Sequence, residues 1–168
     1  ATIDLSGAEI ELVDVERREY RLREALREYV SEHADIDIVL IDCPPSLGLV
    51  TLNVMVAADE VMIPIQAEYY ALEGLSQLWN TVERIGVDLN PGLRVSGMLL
   101  TMADKRTKLS EEVESEVRSH FPDHTFETVI PRSVRISEAP SYGQTVVTYD
   151  PRNVGAIAYR KAALELCQ

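Results

Sequence analysis

The chain has 168 residues, 46% of them hydrophobic and 26% charged, with a formal net charge of −12 at neutral pH. These values are typical of one ordinary globular domain with a sizeable core, and they exclude a uniformly basic nucleic-acid binder. The negative net charge does not exclude a local basic patch, because salt screens the interaction between charges more than about 10 Å apart. The two cysteines, Cys43 and Cys167, lie far apart, which argues against a disulfide framework and favours a cytoplasmic setting.

The first half of the chain alternates between two periodicities. Apolar residues three and four apart predict a helix over residues 6–33. The short apolar run Ile36–Ile41 predicts a strand buried on both faces. Two more strands are predicted at Glu60–Gln66 and Leu93–Met102, with a helix over residues 71–85 between them.

The second half continues this alternation. A helix is predicted over residues 109–121 with Ser110 as its N-cap, followed by a strand at Phe126–Ile130 and a closing helix at Asn153–Leu166. Strands that alternate with helices of this length predict an α/β fold with a mostly parallel sheet flanked by helices. No linker interrupts the pattern, so we expect a single domain over residues 1–168.

Polar residues follow the predicted strands. Ligands of open parallel sheets bind beyond the carboxyl ends of the strands, so functional residues are expected there. The residues at those ends are Asp42, Gln66, Glu68, Asp104–Lys108 and Pro131–Ser137.

Asp42 directly follows the apolar run Ile36–Ile41. A carboxylate at that point costs desolvation energy unless something compensates it. In nucleotide-hydrolysing α/β proteins a magnesium ion does so, in the Walker B arrangement; alternatively, the carboxylate caps a following turn. Pro44 and Pro45 stiffen the next residues and Gly48 leaves a flexible point, as in a switch loop that carries a change at the phosphates outward.

Three stretches resemble a known family. DIVLIDCPPSLGLVTLNVMVAADEVMIPIQAEYYALEGLSQL closely resembles the ParA/Soj family of chromosome- and plasmid-partitioning ATPases. TMADKRTKLSEEVESEVRSHF and VIPRSVRISEAPSYGQTVVTYDPRNVGAIAYRKAALEL resemble the later motifs of the family in the same order. The resemblance implies a P-loop NTPase fold of the MinD/ParA type, with a deviant Walker A loop.

That phosphate-binding loop, K-G-G-x-G-K-T-[ST], does not occur in the 168 residues. The resemblance therefore predicts that the chain is the C-terminal two-thirds of such an ATPase, incomplete at its N-terminus. We expect the full-length protein to hydrolyse ATP, and the chain alone to be inactive.

The resemblance also implies roles for residues around the nucleotide. Asp42 is the Walker B aspartate, which acts on Mg²⁺ through water. Pro131 and Ser133 match the positions that contact adenine, although a turn that ends an edge strand would also explain Pro131. The residues of the implied switch II loop are Cys43, Pro44, Pro45, Ser46 and Gly48, with Cys43 expected to be a small buried filler.

Two arginines match those through which the family holds DNA without sequence preference. These are Arg106 and Arg135, and Lys105 and Lys108 stand near the first of them. Lysine and arginine contacts to phosphates supply most of the affinity in nonspecific binding. Each arginine alone is also compatible with an ordinary solvated surface position.

The function implied by the resemblance is an ATP-driven DNA-partitioning switch. ATP and Mg²⁺ join two subunits into a homodimer, which binds double-stranded DNA nonspecifically until a ParB/Spo0J-type partner stimulates hydrolysis. Tyr69 and Tyr70 would lie near the face where the subunits meet, and the protein would be cytoplasmic, associated with the nucleoid and not with a membrane. The alternatives are a MinD-like membrane-cycling regulator, an iron–sulfur carrier of the same superfamily, and an inactive fragment.

Overall fold

A computed structural model describes residue 7 and residues 11–44, 46–68 and 71–167. Its backbone divides into two compact units. The first unit is Ala1–Val61 with Thr81–Arg94, and the second is Met62–Asn80 with Val95–Gln168. No described helix is both long and apolar enough to cross a bilayer.

In the first unit, helix α1 at Arg21–Glu32 packs against helix α2 at Leu49–Ala57. The helix predicted over residues 6–33 is not continuous among the described residues. Residues 7 and 11 are helical, but residues 12–17 form turns and a bend, and Arg17 adopts the left-handed conformation with φ of 55°, which cannot continue a right-handed helix.

The buried Asn53 side chain on α2 explains how α1 can begin at this point. Its Oδ1 accepts a hydrogen bond from the backbone N–H of Leu22, and its Nδ2 donates to the carbonyl of Arg18 at 2.9 Å. The first N–H groups of a helix have no partner within the helix. A side chain 31 residues further along the chain supplies one here.

The strand predicted at Ile36–Ile41 is absent. This segment makes no ladder hydrogen bonds with the part of the chain that the structure describes, and its side chains reach solvent. Ile38 is 71% exposed and Leu40 is 85% exposed. An apolar run favours burial, but a strand exists only where a neighbouring strand pairs with its backbone groups.

Most of two parallel strands lies in the second unit. They are β1 at Glu60–Gln66 and β2 at Arg94–Thr101, joined through helix α3 at Ala71–Asp88. Hydrogen bonds from Arg94 N–H to the Asp59 carbonyl and from Ala67 N–H to the Thr101 carbonyl link like ends of the two strands. Both predicted strands, the crossover helix and the parallel pairing are confirmed.

A third segment, residues 124–132, runs parallel to β2 without forming the continuous strand predicted at Phe126–Ile130. Isolated parallel bridges pair Thr125 with Met98 of β2 and Pro131 with Ala103 just beyond β2, and the Ile130 N–H donates to the Leu100 carbonyl at 2.8 Å. Between them, the backbone N–H groups of Glu127 and Thr128 donate to the Glu165 carboxylate, at 2.5 and 3.1 Å. The ladder is interrupted because these donors bond to a side chain.

The N-cap of one helix in the second unit differs from the predicted residue. Helix α4 spans Lys108–His120, and its N-cap is Thr107, whose hydroxyl accepts from the Ser110 N–H; the prediction of Ser110 as N-cap is wrong. Ser110 is buried, and its hydroxyl accepts from the Asp104 N–H. The remaining helices are α5 at Val134–Glu138, a 3₁₀ turn at Ala139–Tyr142, α6 at Val146–Tyr149 and α7 at Val154–Leu166.

The core of the second unit lies around β2, segment 124–132 and α7. Its buried cluster is Leu99, Phe126, Ile130, Ala158 and Ala162. Only glycine fits at position 97 on β2, since a Cβ added there would lie 2.0 Å from the Phe126 ring. Close packing therefore sets the register of segment 124–132 against β2.

Candidate functional site

Asp42 lies in the first unit, at the end of the extended and exposed segment 36–41. Its carboxylate accepts no hydrogen bond and forms no ion pair with the described residues, so its oxygen atoms are available to a cation or to water. Mg²⁺ prefers hard oxygen ligands and retains several waters. The residue thus fits a water-mediated Mg²⁺ contact. Among the described residues, no cluster of three metal-ligating side chains forms a cage of its own.

Cys43 is exposed, so the expectation of a buried filler is wrong. Partial burial and the neighbouring Asp42 carboxylate raise the pKa of the Cys43 thiol. Both effects disfavour the thiolate, which is the reactive form. Cys43 therefore lacks the environment of a nucleophilic cysteine.

The predicted switch loop leads directly into α2. Gly48 is the N-cap of α2, and its carbonyl accepts from the Leu52 N–H at 3.0 Å. The Ser46 carbonyl accepts from the Thr51 hydroxyl at 2.6 Å. Pro44 is exposed, and Pro45 lies outside the described residues, as do Tyr69 and Tyr70. The end of this loop is thus hydrogen-bonded to the first turn of α2. A displacement of the loop would therefore also move α2.

In the second unit, two polar loops meet beyond the carboxyl end of β2. The Ala103 N–H donates to the Ile130 carbonyl at 3.1 Å, and the Ala103 carbonyl accepts from the Arg132 N–H at 2.9 Å. These two bonds bring the loop after β2 beside the loop that starts at Pro131. Residues nearly 30 positions apart therefore share one edge of the sheet.

Arg106 is anchored to the carboxylate next to it. Its Nε and Nη2 donate to the two Asp104 oxygen atoms at 2.9 and 2.6 Å, while its side chain remains 86% exposed. The hydrogen bonds from Arg106 hold the pKa of Asp104 far below its usual value, and Arg132 lowers it further. The guanidinium is therefore oriented and outward, but partly neutralised.

Arg135, in the helix α5 that follows the second loop, is also paired with carboxylates. Its Nη1 donates to Glu138 at 2.9 Å, its Nε lies 3.8 Å from an Asp150 oxygen, and its guanidinium lies over the Tyr149 ring. Lys105 and Lys108 are also exposed. The four cations predicted to bind DNA thus lie on two loops or in the first turn of the helix that follows each loop. The hydrogen bonds of Ala103 join the starts of these two loops.

Pro131 and Ser133, the predicted adenine contacts, begin the second of these loops. Both are half-buried, and Pro131 forms the parallel bridge to Ala103. The Ser133 hydroxyl lies 3.1 Å from Oδ1 of Asn153, the N-cap of α7. A rigid proline beside a half-buried hydroxyl offers a flat apolar surface and one polar group, which is the chemistry that a purine base requires.

The parallel pairing, the crossover helix and the polar loops beyond the strand end define an α/β protein of the MinD/ParA type of P-loop ATPase. A family profile described as an AAA domain matches residues 1–95. The chain is 51% identical over 166 residues to the chromosome partitioning protein ParA of Myxococcus xanthus. It is 50% identical over 166 residues to the chromosome-partitioning ATPase Soj of Treponema pallidum. The chain belongs to the ParA/Soj family of chromosome-partitioning proteins.

These relatives are longer than the chain. The alignments cover 99% of this chain but 58% and 64% of the two relatives. Among solved structures, the cobyrinic acid a,c-diamide synthase of Mycobacterium smegmatis with bound ADP and magnesium matches with a TM-score of 0.77 and 37% identity. That match covers 96% of this chain and 57% of the other. The family and the fold implied by the sequence motifs are thus confirmed.

The contacts of three residues of this region, Asp104, Asn153 and Glu165, were missed at the level of sequence. Asp104 stands two positions before Arg106, and that spacing could have indicated a local ion pair. Asn153 precedes a helical pattern and could have been identified as an N-cap. The contacts of Asn153 with Ser133 and of Glu165 with the backbone of residues 127–128 have no sequence signal, because 20 or more residues separate the partners.

Proposed function

We propose that this chain is the part of a DNA-partitioning ATPase that carries its Walker B aspartate, its base-binding loop and its DNA-binding surface. The observation that carries the proposal is the pair of hydrogen bonds at Ala103, which joins two arginine-bearing loops beyond the end of β2. The family assignment supports the same function, since a relative of 50% identity is named a chromosome-partitioning ATPase.

In the proposed mechanism, the Asp42 carboxylate of the first unit would hold water molecules of a bound Mg²⁺. In the second unit, Pro131 and Ser133 would contact the base of the nucleotide. Mg²⁺ supplies positive charge that offsets the charge of the phosphates. The loop through Ser46 and Gly48 transmits the state of the phosphates into α2. ATP binding brings two copies together, and a ParB-type partner accelerates hydrolysis, which releases the DNA in the nucleoid.

DNA phosphates would compete with the carboxylates that now hold the arginines. Arg106 and Arg135 are exposed and oriented, and each is paired with a carboxylate within two or three residues. A phosphate that approaches such a pair forms hydrogen bonds with the outer N–H groups of the guanidinium. The carboxylates would keep binding weak and readily reversible, as a partitioning cycle requires.

Charge reversal tests this surface in a full-length form, which consists of this chain preceded by the phosphate-binding segment of the Treponema pallidum relative. In that form, Arg106→Glu or Arg135→Glu should abolish binding to a random-sequence duplex, and alanine changes should weaken it less. An alanine change should also reduce the salt slope by about one unit of log K per lost phosphate contact. Nucleotide binding and dimerisation should persist.

Two matched variants sharpen this test. Arg84 on α3 is exposed, so Arg84→Glu makes the same charge change elsewhere and should alter DNA affinity little. Asp104→Asn should strengthen DNA binding several-fold, because it frees the guanidinium of Arg106 while the amide oxygen can still accept from the Arg106 N–H. Equal DNA affinity and salt slope for both arginine reversals and the unchanged protein would contradict the proposed surface and favour a membrane-cycling regulator.

A further inference from the structure

The amide of Asn153 has a settled orientation. Its Oδ1 accepts from the backbone N–H of Gly155 at 2.9 Å, as the N-cap of α7. Because only the oxygen of an amide accepts, this contact identifies which terminal atom is Oδ1. The same Oδ1 lies 3.1 Å from the Ser133 hydroxyl oxygen.

The contact with Asn153 fixes the polarity of the Ser133 hydroxyl. An amide oxygen carries no proton, so Ser133 must be the donor in this hydrogen bond. A free hydroxyl rotates and can either donate to a ligand or accept from it. With its single proton directed at Asn153, the Ser133 oxygen can only accept from a third group.

Tight packing keeps Asn153 in place. Gly155 is buried, and a Cβ added to it would lie 2.6 Å from Cδ1 of Ile136 on α5. The start of α7 therefore lies directly against the helix that follows Ser133. The distance between Oδ1 of Asn153 and the Ser133 hydroxyl is thus set by two packed helices, and not by a mobile side chain alone.

We propose that Asn153 determines the base selectivity of the nucleotide site by making Ser133 an obligate acceptor. The inference rests on the proposed function, in which Pro131 and Ser133 contact the base. Adenine presents a 6-amino group, which donates, whereas guanine and hypoxanthine present a 6-keto oxygen, which accepts. An acceptor-only Ser133 matches the amino group and leaves a keto oxygen facing another acceptor, and buried unpaired polar groups are a strong source of discrimination.

Asn153 is a positioning residue in this scheme, since it acts through Ser133 and does not touch the base. A purely structural role as helix cap would affect stability without changing which base is preferred. The ratio of affinities for two nucleotides, measured on the same protein sample, separates the two roles. Any loss of folded protein lowers both apparent affinities equally and cancels in the ratio.

The test compares binding of ATP and inosine triphosphate to the full-length form by calorimetry. Inosine triphosphate carries the 6-keto group without the 2-amino group of guanine, so it isolates the position that Ser133 would read. We expect a preference for ATP in the unchanged protein. Ser133→Ala should reduce that preference about tenfold, which corresponds to one hydrogen bond of ordinary net strength.

Substitutions at Asn153 test whether this residue sets the base preference through Ser133. Asn153→Ser retains a good N-cap, but its hydroxyl both donates and accepts, so it should reduce the ATP preference nearly as much as Ser133→Ala. Asn153→Asp keeps an acceptor-only oxygen and should retain the preference. The double variant Ser133→Ala/Asn153→Ser should lose no more preference than Ser133→Ala alone.

The outcomes distinguish the inference from the function on which it rests. If Ser133→Ala leaves the preference unchanged, or the unchanged full-length form binds neither nucleotide, the base-site assignment in the proposed function fails. If Ser133→Ala reduces the preference but Asn153→Ser does not, the base site stands and the role of Asn153 is overturned. An unchanged protein without preference for ATP would also overturn that role.

Discussion

At the scale of single residues, the neighbouring carboxylate decides what each arginine offers. Arg106 donates to both oxygen atoms of Asp104, and this contact raises the pKa of Arg106 further above its usual value. The same contact reduces the net positive charge that a DNA phosphate would meet. Arg135 has an equivalent partner in Glu138. An acidic chain can thus present oriented cations whose attraction for DNA is weak.

Replacement of Asp42 should separate ATP binding from ATP hydrolysis. In the full-length form, Asp42→Ala should reduce ATP hydrolysis to background, because it removes the carboxylate that we propose holds the waters of Mg²⁺. The fold should survive, since this exposed side chain makes no hydrogen bond or ion pair with the described residues. Release of phosphate, measured with DNA and a ParB-type partner present, checks the expectation.

Circular dichroism of the same variant provides the control for folding. Asp37→Ala changes an exposed carboxylate of the same segment and should leave hydrolysis unaltered. Hydrolysis by Asp42→Ala at the unchanged rate would show that another residue performs the Walker B role.

At the scale of secondary-structure elements, the end of α7 holds the segment that leads to the loop at Pro131, where we propose that the base binds. Glu165 accepts from two successive backbone N–H groups, at residues 127 and 128, and the Glu127 carbonyl accepts from Arg118 on α4. Burial raises the pKa of Glu165, but the hydrogen bonds from Thr128 and Glu127 outweigh it, so the pKa of Glu165 is lowered. The carboxylate is therefore more stable in the folded protein than in the unfolded chain.

Glu165→Gln should reduce the free energy of unfolding by about 1 kcal/mol at neutral pH, because an amide offers one acceptor oxygen where the carboxylate offers two. The stabilisation by Glu165 is complete above the unfolded pKa of about 4.5 and is lost as pH falls through the lower folded pKa. Denaturant unfolding of the full-length form between pH 3 and pH 7 (about the span of this titration) measures the effect.

The exposed Glu112 on α4 supplies the matched control, and Glu112→Gln should change stability little. The stability difference between Glu165→Gln and the unchanged protein should shrink towards acid pH. A difference that stays constant over the whole range would contradict the role of the ionised Glu165 carboxylate.

At the scale of the whole molecule, the chain contains the Walker B and base-binding candidates without a glycine-rich phosphate loop in its 168 residues. Backbone N–H groups of such a loop, with its lysines, supply most of the affinity for phosphates. We therefore expect these 168 residues alone to bind Mg-ATP weakly or not at all. Calorimetric titration of the chain and of the full-length form, side by side, measures the difference. Micromolar affinity of the chain alone would contradict the expectation.

The sequence by itself determined the family, five of the elements in their order along the chain, and the position of the polar loops. β1, α3, β2, α4 and α7 were all predictable, because periodicity and turn-forming residues act over short distances along the chain. Family motifs identified Asp42, Pro131 and Arg106 as candidates without any knowledge of their surroundings.

Tertiary structure alone decided which of these local preferences were realised. The run Ile36–Ile41 has strand-forming residues but no paired strand among the described residues. In segment 124–132, backbone N–H groups donate to the Glu165 carboxylate and not to a neighbouring strand. Ser133 acquires a fixed polarity only because α7 brings Asn153 against it. Such contacts join residues far apart in the chain, and their energies depend on packing and geometry that no local pattern encodes.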